Sequence, residues 1–527
     1  MRCILVFTLS IISVFASATD YYVSSTGSDS ADGLSESTAW QTIAKVNSVF
    51  SVLNPGDKIL FKSGDIFYGT LKITKSGSAL APIIIGSYGS GGKPIITGFT
   101  TLSSWTDVGG GIYSASLTCE SSPEMLIIDG IQYAMGRWPN SKVWPEPQTW
   151  ASIDSYVGVT ALTDAELATT GINWTGAEVV VRNSNRNRIS RYPVTNHTGT
   201  TLTFSGGTTS YPLGKDWGYF IQNDKRTLDE FGEWYYDTKT STFYMYFGSE
   251  NPTIHFVKVT PLDYLLSLDR GVTYIKIENL TITGANNTAI NGLGYNHNCI
   301  ISNSDISFCG YNGIKTFESD KITINNCIID HCNDNAISLK DNCESTDIRN
   351  NEVTNIGLFP GMGQGLWESA KAIYLRGNNN SFVEYNRVKN SGFSGIHFSG
   401  NNIIIRNNII DTFGFIKEDC GGIQYGGGST YSNMKFLNNI VLNGLGSPGG
   451  KPIESSHWVA GIYLDYYTTG GVEISDNTVA NVKHMGGILI SGSQNVVINN
   501  NTVFDCQSGI RMQEIGGLGT PPRNVAL

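Results

Sequence analysis

The segment 417–422, "KEDCGG", sets two acids one residue before a pair of glycines in a chain of which only 15% is charged. Glycines beside a carboxylate leave room for a ligand to approach closely. A second acid, Asp465, ends the segment "GIYLD" at 461–465. Two carboxyl groups flanking one bond are what hydrolysis of a glycosidic linkage needs, one as acid and the other as base or nucleophile. Asp419 and Asp465 are the expected pair, with Glu418 the alternative to Asp419. Glu368 and Glu454 are lesser acids on neighbouring loops. Whether any two of these meet depends on the elements that carry them.

Those elements come from a repeat. From residue 277 the chain cycles through I-x-N-N-x-[IV], a turn, and [GA]-I-x-[LF]: IENLTI (277–282), INNCII (324–329), IRNNII (405–410) and INNNTV (498–503) are examples of the first half. The undisturbed spacing is about two dozen residues, with asparagine and glycine at the corners, which predicts a parallel β-helix. Asn351, Asn386, Asn408, Asn439, Asn477 and Asn501 are expected to stack as an internal ladder at a left-handed bend. Cys309 and Cys332 fall at equivalent positions in adjacent coils, which favours a stack of buried thiols over disulfides.

Side chains alternate along a strand. If the isoleucine of each second half points inward, the residues one and three places later point out. The first outward column is then Lys315, Ser338, Tyr374, His397, Gln424, Tyr463, Leu489 and Arg511. The second is Phe317, Lys340, Arg376, Ser399, Gly426, Asp465, Ser491 and Gln513. Three insertions, 357–371, 414–419 and 444–458, fall in the same part of the repeat. Insertions in a solenoid map to one face, so these loops should wall a groove and bring Trp367 and Trp458 to it. Tyr374, Arg376, His397, Gln424, Tyr463 and Lys340 are the expected sugar-binding residues, and 426–428 leaves a gap beside Asp465. Asp419 lies four residues before its isoleucine and Asp465 three after. They can meet only if the chain bends, and Gly421-Gly422 is the expected hinge.

The rest of the sequence bounds the alternatives. A net charge of -10 with no basic run argues against nucleic acid. Residues 1–18 read as an export signal, with Arg2 before the apolar 3–15 and small residues at 16–18, which predicts a periplasmic or extracellular protein. No later stretch is long enough to span a membrane. Residues 19–118 are expected to hold a cap and the first coils, 119–265 an inserted β domain, and 266–527 the main β-helix, stopping where another coil would begin. The fold class is therefore all-β. Nothing in the sequence speaks to oligomeric state.

The outward columns also admit a lyase acting on uronates by β-elimination, with Lys340, Arg376 or His397 as base. Calcium would then be the cofactor, Asp330 and Asp334 its weak ligands; a hydrolase needs no metal or cofactor. A non-catalytic carbohydrate-binding β-helix is the third reading.

The opening "YYVSSTGSDSADGLSESTAWQTI" (21–43), "QYAMGRWPN" (132–140), "LDEFGEWYYD" (228–237) and the two acid-bearing coils together resemble exported right-handed parallel β-helix glycoside hydrolases with an inserted β-sandwich-like domain, of the β-xylosidase and α-L-fucosidase/xylanase types. The resemblance implies hydrolysis of a plant or algal polysaccharide or oligosaccharide by acids on neighbouring coils, matching Asp419 and Asp465. It also implies that Arg137 and Trp138 reach the groove from the insert. Cys420 departs from the glycine expected there.

Overall fold

The computed structural model describes residues 18–426, 430–447, 449–453, 455–465, 468–514 and 521–527. Residues 1–17 of the expected export segment, Glu454, Gly427 and Gly428 lie outside the described residues.

Among the described residues, three long sheets of 13, 11 and 11 strands run the length of the molecule. Each coil gives one short strand to each sheet: Ile300–Ser302 to the first, Asp305–Cys309 to the second and Asn312–Phe317 to the third. The neighbours within these sheets pair in parallel, and the chain winds as a right-handed parallel β-helix. Parallel register sets each residue on its counterpart in the next coil. Ile301, Ile324, Ile348, Val383, Ile405 and Phe436 therefore form one buried column. Each such side chain stabilises the coil by about 1.5–3 kcal/mol through burial. The helix Ile43–Val49, capped by Thr42 accepting from the Lys45 amide, buries Ile43 and Val46 against the first coils.

The asparagine ladder runs from Asn351 to Asn501 without a break. Each Nδ2 donates to the next Oδ1 at 2.9–3.0 Å, and the sequence separations are 35, 22, 31, 38 and 24 residues. The three longer steps hold the three insertions. Each Nδ2 also donates to a backbone carbonyl, as Asn386 does to Ile348 at 3.0 Å. The left-handed bend sits one residue earlier than expected, at Asn350, Tyr385, Asn407, Asn438, Asp476 and Asn500. The ladder residues themselves face inward to satisfy the bend. All eight cysteines of the described residues are free thiols, and Cys309 stacks on Cys332.

The inserted region begins earlier than the expected residue 119. Thr100–Leu102 already pairs antiparallel with Val257–Val259, closing the insert at its base. Its antiparallel sheets of 4, 8 and 4 strands surround two cores, one around Trp174 and Tyr219, the other around Trp234 and Phe243 and shared with Phe359 and Met362 of the first inserted loop. The β-helix resumes at Tyr264–Leu268, paired with Leu71–Ile73.

Candidate active site

The third sheet carries the outward columns in the expected register. Lys315 pairs with Ser338, and Tyr374, His397, Gln424, Tyr463, Leu489 and Arg511 follow coil by coil. All three inserted loops leave the second sheet and enter the third, at Ile373–Leu375, Cys420–Tyr425 and Val459–Asp465.

The bend that redirects Asp419 is at Asp419 itself, with φ +69, and not at the glycines. Its amide and that of Cys420 both donate to the Trp458 carbonyl, at 2.7 and 3.1 Å, locking one inserted loop to the next. Gly421 and Gly422 belong to the strand and are required for space. A Cβ on Gly421 would lie 2.8 Å from the Ile423 carbonyl, and one on Gly422 would lie 2.4 Å from Val441 Cγ1.

Asp419 and Asp465 both line two cavities that meet at them. The first, about 440 Å³, is walled by Asn187, Tyr211, Trp367, Arg376, Phe393, His397 and Gln424. The second, about 720 Å³, is walled by His457, Trp458, Tyr463, His484, Met485 and Arg511 among others. Tyr463 hydrogen-bonds to both acids. Burial raises both carboxyls above the ordinary aspartate value. Asp465 is raised further by the charge of Asp419, and only the bonds from Tyr463 and Gln424 oppose this. Asp419 has more relief, from Asn187, Tyr463 and Arg186. Two buried acids this closely coupled favour sharing one proton, with Asp465 the more strongly raised of the two.

Glu418 does not face the cavities. It is fully buried and accepts from the Ser447 amide at 2.9 Å and from Lys451 Nζ at 2.8 Å, with His457 Nδ1 against the same oxygen. Burial would raise its carboxyl, but the His457 bond, Arg182 and Lys451 hold it down at about 2. It fastens two inserted loops together. Arg182, also fully buried, does the same by donating to the carbonyls of Ile416 and Gly449 and to Ser447 Oγ.

Among the expected binding residues, Trp367, Arg376, His397 and Gln424 reach the first cavity, and Trp458 and Tyr463 the second. Tyr374 does not: it is 1% exposed, roofed by Trp367, and its hydroxyl donates to Glu368. Lys340 is held by Glu368 at 2.6 Å. Arg137 and Trp138 remain inside the insert. Arg137 lies over Phe220 at 3.5 Å and donates to the Thr149 carbonyl, while Trp138 stacks on Trp174. The insert reaches the site by another route, the hairpin 183–188, "NSNRNR". Asn187 Nδ2 donates to Asp419 Oδ2 at 3.4 Å, and Arg186 lies over Trp458 at 4.6 Å. The only signal in the sequence was a polar, arginine-rich turn between two apolar strands.

The basic column is internally neutralised, since Glu368 bonds both Lys340 and Arg376, and Arg376 also pairs with Asp341. Asp330 is occupied by Thr354 and Asn355, and Asp334 by the Gln364 amide. Among the described residues no group of three or more His, Cys, Asp or Glu could hold a metal ion. No helix of the described residues is long and apolar enough to cross a membrane.

A family model described as "Right handed beta helix region" matches residues 246–371 and 366–514. A lacto-N-biosidase of Bifidobacterium longum subsp. longum is 45% identical over 87 residues, 15% of this chain; the chain spans only 5% of that protein's length. A solved structure described as a glycoside hydrolase matches over 97% of both chains, with a TM-score of 0.66 and 13% identity, a likeness of fold. The complex of XylC with xylose covers 94% of this chain and 70% of that one, at 13% identity and a TM-score of 0.46.

Proposed function

The chain belongs to the right-handed β-helix family, and from that premise we propose that it is an exported glycoside hydrolase using Asp419 and Asp465 on an oligosaccharide or polysaccharide. One observation carries this reading: both acids border the two cavities at their junction, so a glycosidic bond laid across that junction has a carboxyl on either side. Asp465, the better seat for the proton, is the general acid. Asp419, supported by Asn187 and Arg186, is the carboxylate. The short lacto-N-biosidase match supports a glycosidic substrate.

A phenol bonding both acids keeps their nearest oxygens within about 6 Å, two hydrogen-bond lengths. We take the retaining route, which uses the closer of the two carboxyl spacings, as the reading to test. In the first step Asp419 bonds the anomeric carbon while the glycosidic bond breaks, and Asp465 gives its proton to the departing oxygen. In the second, water replaces Asp419 at that carbon and returns a proton to Asp465. The β-elimination reading is weakened because Glu368 and Asp341 already neutralise Lys340 and Arg376, two of the residues it would use.

Asp419→Asn and Asp465→Asn should each cut release of reducing sugar by roughly a thousandfold or more, measured over plant, algal and other glycans, while the melting temperature holds. Product anomers read by NMR should retain configuration. Full activity in either variant, or an unsaturated uronate product, sinks the assignment.

A further inference from the structure

The first cavity has a polar character that its residues settle among themselves. Gln424 Nε2 lies 3.3 Å from the Asp419 backbone carbonyl, which can only accept, so this end of the amide must be the nitrogen. Its Oε1 therefore faces Ser394 Oγ at 2.7 Å and His397 Nδ1 at 3.2 Å. Both of those groups must donate. A neutral imidazole protonated on Nδ1 carries its lone pair on Nε2.

The ring is neutral because it is 5% exposed and its ordinary value is depressed strongly, first by burial and then by Lys371. Nε2 has no hydrogen-bond partner of good geometry among the described residues, and the Gly426 backbone, which would accept from a protonated ring, makes only a weaker contact with it. Asn187 Oδ1 is likewise without a partner on the same cavity. The carboxyls of Asp419 and Asp465 complete the polar lining, and Trp367 and Phe393 supply apolar faces. Arg376 in the cavity wall is bound by Glu368 and Asp341, Lys417 behind it donates to the Leu366 carbonyl, and buried Lys371 is depressed far below its usual value, while on the insert side Arg186 pairs with Glu418 and Arg188 lies over Tyr211.

Gly426 holds the space open. A point one Cβ above it is 3.6 Å from His397 Nε2 and 3.8 Å from Asp465 Oδ2. A group seated there would touch both.

We infer that the Trp367 cavity is a subsite for a neutral sugar residue, and that His397 Nε2 determines this by accepting a hydrogen bond from a sugar hydroxyl beside the scissile bond. A hydroxyl can donate to His397 Nε2 and Asn187 Oδ1, whereas a carboxylate or sulfate group seated against them brings only acceptors and leaves both sides unpaired. The inference rests on the hydrolase reading for the position of the scissile bond, but not for the binding preference.

The test separates the two. Asp465→Asn protein is titrated calorimetrically with neutral tetrasaccharides of glucose, galactose, xylose and mannose, and with oligogalacturonate and oligoglucuronate. Histidine nitrogen NMR of the unaltered protein, assigned by difference with His397→Gln, reads the tautomer. At least one neutral sugar should bind in preference to both uronates, and Nε2 should be unprotonated and shift on binding. His397→Gln should weaken that binding roughly tenfold, and the gap should close for the deoxy analogue lacking the bonded hydroxyl. Preference for uronates, failure of every neutral sugar to bind, or a protonated Nε2 overturns the inference. Neutral-sugar binding with a shifted Nε2 but no turnover by the unaltered protein keeps the subsite and sinks the hydrolase. Hydrolysis of uronates with no unsaturated product does the reverse.

Discussion

Asn187, on a hairpin of the inserted domain, donates to Asp419 of the β-helix at 3.4 Å across 232 residues of chain. The insert thus supplies part of the electrostatic setting of a carboxylate that the coils position. Asn187→Ala should remove a bond that favours the ionised form. The Asp419 carboxyl then rises, by up to about one unit, and the acid limb of the rate profile moves to higher pH. A limb that stays in place would mean that Asn187 is only packing.

The pair itself sets a bell. Asp419 is raised to about 6 and Asp465 to about 8, so the singly protonated pair dominates between those values. The rate should fall below the first, as Asp419 gains a proton, and above the second, as Asp465 loses its own. Asp419→Asn removes the neighbouring charge and should draw the Asp465 value down. Carboxyl carbon NMR of aspartate-labelled protein checks this without any turnover.

Glu418→Gln tests the buried cluster. A carboxyl held at about 2 in the folded chain, against about 4.3 unfolded, stabilises the protein above the unfolded value. That contribution is lost as the pH falls through the folded one. The substitution should cost about 3 kcal/mol near neutrality, because Arg182 and Lys451 keep their charges without a partner. The melting-temperature gap between the two proteins should then narrow on acidification from about 4.3 towards 2.

Gly426→Ala should leave the melting temperature unchanged, since the new Cβ meets its nearest neighbours at 3.5–3.8 Å, ordinary contact. It occupies the space between His397 and Asp465, so KM should rise. Gly422→Ala is the contrast. Its Cβ would strike Val441 and Phe413, and overpacking should destabilise by roughly 1–3 kcal/mol. Equal behaviour of the two variants would undo the distinction between a ligand gap and a packing constraint.

The coil register was legible from the sequence because a parallel solenoid stacks each residue on its own counterpart. Once the period was found, the column from Tyr374 through His397, Gln424 and Tyr463 followed from strand alternation alone. The loops that wall the cavities were legible too, as departures from the same period. Orientation within those loops was not. Glu418 and Asp419 are adjacent acids of one loop, yet one is sealed in an ion cluster and the other lines both cavities. The left-handed turn at Asp419 and the Trp458 carbonyl on the next loop make that difference. Tyr374 occupies its expected outward position but is roofed by Trp367, from a loop whose path no alternation rule describes.

The sequence alone therefore determined which residues share a face, because that depends on a local period and on the constant pairing of like with like. Only the tertiary structure decided which members of the face are open, which acid meets Asp465, and that the insert arrives through Asn187 instead of Arg137 and Trp138. Those outcomes turn on how irregular loops and a second set of sheets pack onto the coils, and such contacts join residues that share no period.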